Sequence, residues 1–449
     1  MFSRVVSTDT KKVFSLAIPA ALKHLVDILQ ILIDMIMVGM VSVHALAAVG
    51  MSMQFMMVVN VLMTLYVVGG NAMVARFIGQ RRKHRASALV YSLSLVALCL
   101  SLFVTIPTFS YAEELFALMG AQSEVVEEGG IYFGILACGM SMMFLDALFY
   151  NALSAAGDTK NSLYIKLLSA ALNAFLNYVL IFGHFGFEAM GIAGAAYATL
   201  IAYAFNVAAY LWLLGAFGSW QKKRTFPLGM LPLVRVRDLV RAWHVGWSAA
   251  LERGVSSLSF LVFVSIITWY GTAELAGYQV GLRIEGIAFM PGFGFSIAAM
   301  ALVGQYIGAK DYERAYRAGI ISGRIAYAFM GFVGVCLILF SQSAAALFTD
   351  DPHTIAVASL YLILVGLAQI PLALNFVYSA ALRGAGATKT TLYINVLSLW
   401  LFRILPSYAA YAMGFGVIWV FIIMNIETLL KGVIYWYFYR KKGWLFTKI

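Results

Sequence analysis

Residues Leu153–Ser169 read LSAAGDTKNSLYIKLLS, and Leu382–Ser398 read LRGAGATKTTLYINVLS. The two stretches lie 229 residues apart and agree at ten of seventeen positions. The same offset, without gaps, lays AALK (Ala20–Lys23) on AALE (Ala249–Glu252) and VARFIG (Val74–Gly79) on VGQYIG (Val303–Gly308). One offset at three separated places marks an internal duplication, so the fold of one half predicts the fold of the other. Within the quoted stretches, Gly157 and Gly386 tolerate a helix-ending conformation. Asp158, just beyond, suits the cap of the next helix and is read as structural.

What is duplicated follows from composition. Of 449 residues, 62% are hydrophobic and 11% charged, where a soluble globular domain carries roughly 25% charged residues. A membrane-crossing helix needs about 20 apolar residues. Twelve runs of that kind lie near 13–40, 47–75, 87–111, 128–155, 161–183, 190–217, 242–270, 275–304, 318–345, 353–382, 388–412 and 414–438. Six spans per repeat is an even number, so both repeats enter the membrane in the same sense, as parallel repeats about an axis along the membrane normal. The expected fold is an all-α integral membrane protein of twelve transmembrane helices in two six-helix lobes. Residues 1–217 form the first lobe, 218–241 a basic cytoplasmic linker, and 242–449 the second lobe with a short basic tail. The N-terminus lacks a small-residue cleavage site and reads as a retained helix. Cys99, Cys138 and Cys336 are solitary and apolar in context, which predicts neither a disulfide framework nor a redox pair.

The formal charge of +11 is distributed by loop rather than by patch. The loop after span two, RFIGQRRKHR, holds five Lys or Arg, and Lys222–Arg241 holds six. Lys160, Lys310, Arg314, Arg317, Arg383 and Lys389 lie in the other even-numbered loops, and the tail carries Arg440, Lys441, Lys442 and Lys448. Odd-numbered loops have none, and Ala112–Glu128 is acidic. That is the positive-inside pattern. It places both termini in the cytoplasm of a multi-pass inner (plasma) membrane protein and assigns the basic excess to orientation, not to nucleic acid.

One span is unlike the others. LKHLVDILQILIDMIMVG, Leu22–Gly39, carries Lys23, Asp27, Gln30 and Asp34, although an ionisable group at the centre of a membrane helix costs about 2.5–3.5 kcal/mol. Spacings of i, i+4, i+7 and i+11 put all four on one helix face, which must look into the bundle or a wet cavity rather than lipid. Lys23 and Asp27 are helical neighbours and can neutralise each other. Asp34 has no cation at helical spacing on its own helix. Such a carboxyl can take a proton in one conformation and release it in another, so Asp34 is the candidate proton-coupling residue, with Asp27 second. Asn173 and Asn177 share a face of span five and can hold a carboxylate, or serve as interhelical glue. Gln30, Gln54, Met53 and Met57 are candidate cavity residues, because flexible thioethers accept varied ligands.

In the second half, Glu252 replaces Lys23 at the equivalent position, beside Arg253, and Arg283 and Glu285 stand in span eight. These four read either as a neutral ion-pair network or as a cation site built from Glu252, Glu285, Arg283 and Tyr278. Asp146 (repeat partner Asn375) is read as a packing acid, and Glu427 with Lys431 as an i,i+4 pair. Pro291, followed by two glycines in FMPGFGF, is expected to break or bend span eight. No His pair stands at metal-ligand spacing, and no nucleophile–base or HExxH constellation is present. Neither an enzyme, a metal site nor a cofactor is expected.

Twelve spans in parallel six-helix repeats also describe the major facilitator superfamily, but GQRRKHRA lacks that family's Asp-Arg signature after span two. The elements AAGDTK, RGAGATK, QVGLRIEGIAFMPGFGFSIAA and VGQYIGAKDYERA instead resemble the multidrug and toxic compound extrusion (MATE) family, over essentially the whole chain. The resemblance implies a cation-coupled antiporter that exports organic cations against an inward proton or sodium gradient. Proton drive with alternating access between the lobes is the leading expectation, and a monomer is expected. Pro19 and IDMIMVG match the family's first-helix pattern, which puts Asp34 at its coupling acid, and LNAFLNYVLI places Asn173 and Asn177. Glu252 matches the seventh-helix acid of the NorM-like branch, whose tenth-helix acid is missing between Gln369 and Arg383. Sodium coupling through Glu252 is therefore the alternative, and a flippase for a lipid-linked or amphipathic substrate a more distant one.

Overall fold

The computed structural model describes residues 2–215 and 236–447, with side chains from Asp9 onward. Residues 218–235 of the expected linker, the Arg4 side chain and Lys448 lie outside the described residues. Within them every regular element is helical. The first repeat comprises α1 (Phe2–Gly39), α2 (Val43–Gly79), α3 (Lys83–Ser110), the short α4 (Ala112–Leu118), α5 (Ser123–Cys138), α6 (Met140–Ala156), α7 (Thr159–Phe182) and α8 (Ile192–Leu214). The second follows as α9 (Val236–Thr268), α10 (Thr272–Ala288), α11 (Met290–Gly308), α12 (Tyr312–Leu339), α13 (Ser341–Ala346), α14 (Pro352–Leu367) and α15 (Gln369–Gly384). It ends with α16 (Thr388–Leu397), a π-helical segment Ser398–Ile404, α17 (Leu405–Ala412) and α18 (Val417–Arg440). Among the described residues ten helices are long and apolar enough to cross a membrane, and two bent pairs, each taken as one span, bring the number to twelve.

The duplication is visible in backbone detail. Gly157 and Gly386 both adopt left-handed φ, +89° and +81°, and the Asp158 side chain caps α7 through the Asn161 N–H. After α2 and α11, Arg81 and Lys310 take left-handed φ of 59° and 60°, a conformation that costs a non-glycine residue about 1 kcal/mol. Spans four and ten are each broken at the equivalent residue. Helix α6 turns 56° from α5 at Gly139, and α15 turns 57° from α14 at Ala368. Span eight is interrupted at Phe289, between α10 and α11. Pro291 stands two residues on and supplies no N–H to the preceding turn, whereas Leu62 at its repeat position lies within the unbroken α2.

By contact the described chain forms two units, Leu22–Trp247 and Met1–Ala21 with Ser248–Ile449. The limits fall inside α1 and α9, so the units are not the sequence repeats end to end. Small residues explain why. In the Leu22–Trp247 unit, the start of α9 crosses α2 so closely that a Cβ on Gly246 would overlap the Leu65 carbonyl, and one on Gly69 the Ala242 carbonyl. In the other unit a Cβ on Gly294 of α11 would overlap the Ala17 carbonyl of α1. Small residues at such crossings let helix backbones approach where lipid provides no hydrophobic drive. Pro19 lies in α1 next to the unit limit.

Candidate functional site

In the Leu22–Trp247 unit the polar face of α1 meets α7. Asp27 is held by two ammonium groups, Lys23 at 2.7 Å and Lys166 at 2.9 Å. The Lys23–Asp27 pair is the one helical spacing predicts; Lys166 comes from the neighbouring helix. Lys166 also donates to Gln30 Oε1 at 2.6 Å, so one lysine spans two rungs of the stripe. The Lys23 ammonium lies 4.1 Å from the Tyr150 ring centroid, and His24 Nδ1 is 3.7 Å from Asp27. Two turns on, Asp34 Oδ1 accepts a hydrogen bond of 2.5 Å from Asn177 Nδ2, and among the described residues no lysine or arginine is ion-paired with it.

The two asparagines therefore differ. Asn177 touches Asp34, whereas Asn173, fully buried one turn earlier, has no hydrogen-bond partner for either polar atom among the described residues. Asp146 on α6 is hydrogen-bonded by Asn206 of α8 and lies within electrostatic reach of Lys23 and Lys166. Gln54 and Met53 on α2 are exposed and Met57 half-buried. A cavity of about 600 Å³ in this unit has a different lining, including Glu113, Glu114, Tyr197 and Leu200.

The second unit distributes its charges otherwise than expected. The four-residue network of Glu252, Arg253, Arg283 and Glu285 is replaced by partners from other helices. Glu252 is buried, with Oε1 on Arg383 Nη2 at 2.6 Å and Oε2 on the Thr391 hydroxyl at 2.8 Å. Arg253 and Arg283 are exposed, because their helices turn them away from the faces that pack. Glu285 accepts from the Tyr361 hydroxyl, and Tyr278 packs edge-on against that ring, centroids 5.3 Å apart. Ser256, one turn beyond Glu252, donates to the Glu252 backbone carbonyl at 2.7 Å rather than to its carboxylate.

Glu427 and Lys431 form the expected pair, at 3.0 Å. Arg403 of the π-helical segment joins them at 2.6 Å and Ser398 donates to the same carboxylate at 2.6 Å. Among the described residues no group of His, Cys, Asp or Glu is arranged to hold a metal ion.

Sequence reasoning missed Lys166, Arg383 and Arg403 as partners. Two of them sit in the duplicated motif at positions where the repeats disagree: Lys166 faces Asn395, and Arg383 faces Ser154. A charge present in only one of two equivalent membrane helices was the available signal.

Comparison with known proteins bears on the same geometry. The family profile MatE matches residues 19–179 and 249–409, one match per repeat. The probable multidrug resistance protein NorM of Thermotoga maritima is 29% identical over 399 residues, covering 88% of this chain and 84% of that protein. The multidrug resistance protein NorM of Burkholderia vietnamiensis is 28% identical over 394 residues, covering 86% and 83%. Among solved structures, the Vibrio cholerae MATE transporter VcmN superposes with a TM-score of 0.90 at 20% identity, over 98% of this chain and 99% of that one.

Proposed function

Given that the chain belongs to the MATE family of membrane transporters, we propose that it is a secondary active multidrug efflux antiporter that expels organic cations and is driven by an inward proton gradient, with Asp34 as the coupling acid. The single observation that carries this reading is the contrast along one helix face: Asp27 is matched by Lys23 and Lys166, while Asp34 has only the neutral amide of Asn177. Over Lys23, Lys166, Asp27 and Asp34 the charges cancel when Asp34 is ionised. The carboxylate can then attract a cation. Protonation removes that attraction, and the cation leaves. Competition of proton and substrate for one acid gives exchange without simultaneous binding, and alternating access gives it direction. Asn177 positions the carboxylate, and the exposed Gln54 and Met53 are candidate contacts for substrate. The family role and the relatives called multidrug resistance proteins support efflux of organic substrates.

Sodium coupling through Glu252 fits less well. Both of its oxygens are occupied, one by a guanidinium, and a hard cation wants several free oxygens. The decisive experiment uses purified protein in liposomes, with ethidium as the probe and proton and sodium gradients imposed separately. Proton-driven transport that Asp34→Asn abolishes is the expected result. Sodium-driven transport that survives this substitution would overturn the reading and move the coupling site to Glu252.

A further inference from the structure

Four carboxylates are buried in the helices of the second unit, and they are not equivalent. Asp9, at the very start of its span, accepts from the Tyr306 hydroxyl, and the other three lie within their spans. Glu252 has Arg383; Glu427 has Arg403 and Lys431. Glu285 has no ion pair among the described residues, and its partner is the neutral hydroxyl of Tyr361. The surrounding wall is aromatic. Tyr278 stands 5.3 Å from Tyr361 by ring centroids, Phe421 stands 5.2 Å from Tyr361 and 6.0 Å from Tyr278, and Phe263 stands 6.0 Å from Tyr278. Glu285, Tyr361, Tyr278 and Phe421 are all buried. The charged and titratable groups that act on this pocket are Tyr278 on its own helix, Tyr361 on α14 and Arg403 on the π-helical segment. Arg403 is in turn paired with Glu427 of α18, which also holds Lys431. Arg403 reaches Glu285 electrostatically but gives its hydrogen bonds to Glu427 and Thr428.

The pocket is built into the helix contact. Gly277, Gly281 and Glu285 follow one another at four-residue spacing on one face of α10. A Cβ on Gly277 would come 2.6 Å from the Val357 Cβ, and one on Gly281 would overlap the Tyr361 ring. The glycines let α14 lie against α10 so that Tyr361 reaches the carboxyl one turn further on. The duplication supplies an internal control. At the equivalent positions of the first repeat stand Met56 for Glu285 and Ala174 for Arg403, while Tyr132 keeps the place of Tyr361. The same span forms there without a carboxyl, so helix formation does not require one.

A buried carboxylate without a counter-ion carries a desolvation cost of several kcal/mol, which a proton removes. We propose that Glu285 is a second proton-binding site, protonated while its aromatic pocket is closed and exchanging that proton with water when the α10–α14 contact opens, so that each transport cycle carries two protons, one on Asp34 and one on Glu285. The step is the transfer of one proton between the Glu285 carboxyl and water. It rests on the proton-driven reading above.

The test uses the full-length protein in liposomes with ethidium as the probe and the membrane potential clamped. The limiting ethidium gradient is measured against the imposed pH difference. Each coupled proton multiplies that limit by about tenfold per pH unit, so the native protein is expected near a hundredfold and Glu285→Gln near tenfold. Infrared difference spectra of the same preparations follow the carbonyl band of a neutral carboxylic acid. One such band is expected to vanish in Glu285→Gln and to persist in Asp34→Asn. A folded Glu285→Gln that keeps the native pH dependence overturns the proposal, as does a spectrum unchanged by the substitution. Glu285→Met, the residue of the first repeat, is the second variant should the glutamine form fold poorly, with the same expectations. Proton drive that survives Asp34→Asn but not Glu285→Gln would sink the Asp34 reading alone.

Discussion

Lys166 shows how much one residue can settle. Without it, Asp27 would share its helix face with Lys23 only, and Gln30 would lose its donor. Lys166→Ala is therefore expected to lower stability by about 1–3 kcal/mol, the range for leaving a partly buried charge short of a partner, as read by thermal unfolding in detergent. Lys166→Arg should recover part of the loss. Asp34→Asn should differ in kind: an amide oxygen still accepts from Asn177, so unfolding stays near native while proton-driven transport is lost. A large loss of stability in Asp34→Asn would count for a structural role. The spacing of Lys23, Asp27, Gln30 and Asp34 made the stripe legible from sequence. Lys166, Arg383 and Arg403 were not legible as partners, because an ion pair across helices depends on which faces pack, and helical periodicity reports only neighbours on the same helix.

Helices are held by close crossings and by their caps. A side chain at Gly246 must displace the Leu65 carbonyl of α2. Gly246→Val is expected to cost about 1–3 kcal/mol by overpacking, whereas Gly50→Ala, with nothing within 4 Å of the new methyl, should be neutral or stabilising by up to about 1 kcal/mol. Thermal unfolding of the two variants separates crowding from helix propensity. At α14, Asp351 lies outside the span and caps the helix through the Thr354 N–H at 2.8 Å and hydroxyl at 2.5 Å. The Thr354 hydroxyl first, and then its N–H, hold the Asp351 carboxyl below the usual aspartate range. Because the folded group titrates lower than the unfolded one, the stabilisation is complete above the ordinary aspartate range and lost as the pH falls through the lowered value. Asp351→Ala should thus unfold at lower temperature than native at neutral pH, with the difference vanishing in acid. Asp351→Asn, a cap that does not titrate, should show no such vanishing. Its repeat partner Gln122 makes no side-chain cap, so this contribution belongs to one half only.

For the whole molecule, the loop charges make the firmest prediction. Lys and Arg fall in the even-numbered loops and the tail, so both termini are expected in the cytoplasm. A C-terminal green fluorescent protein fusion should fluoresce and a C-terminal alkaline phosphatase fusion should be inactive; the reverse pair would overturn the orientation. The bends at Gly139 and Ala368 belong to this scale as well. They recur at equivalent positions in both repeats although Pro371 follows only the second, so packing within the fold, rather than proline alone, imposes them.

From sequence alone came the membrane class, the twelve spans, the duplication and the single helix face that concentrates charge. These depend on apolar length, on a fixed offset and on a period of 3.6 residues, all of which are local properties of the chain. The tertiary structure decided which charge answers which. It gave Asp27 a second lysine, Glu252 and Glu427 an arginine each, and Glu285 and Asp34 only neutral hydrogen-bond donors. It also set the limits of the two compact units inside α1 and α9, where glycine crossings bind the first part of each helix to a different unit from the rest. Some of these partners lie more than a hundred residues apart in the chain, as Glu252 and Arg383 do, and others a few turns of chain away, as Arg403 and Glu427 do. In each case the packing of helix faces brings them within hydrogen-bond reach.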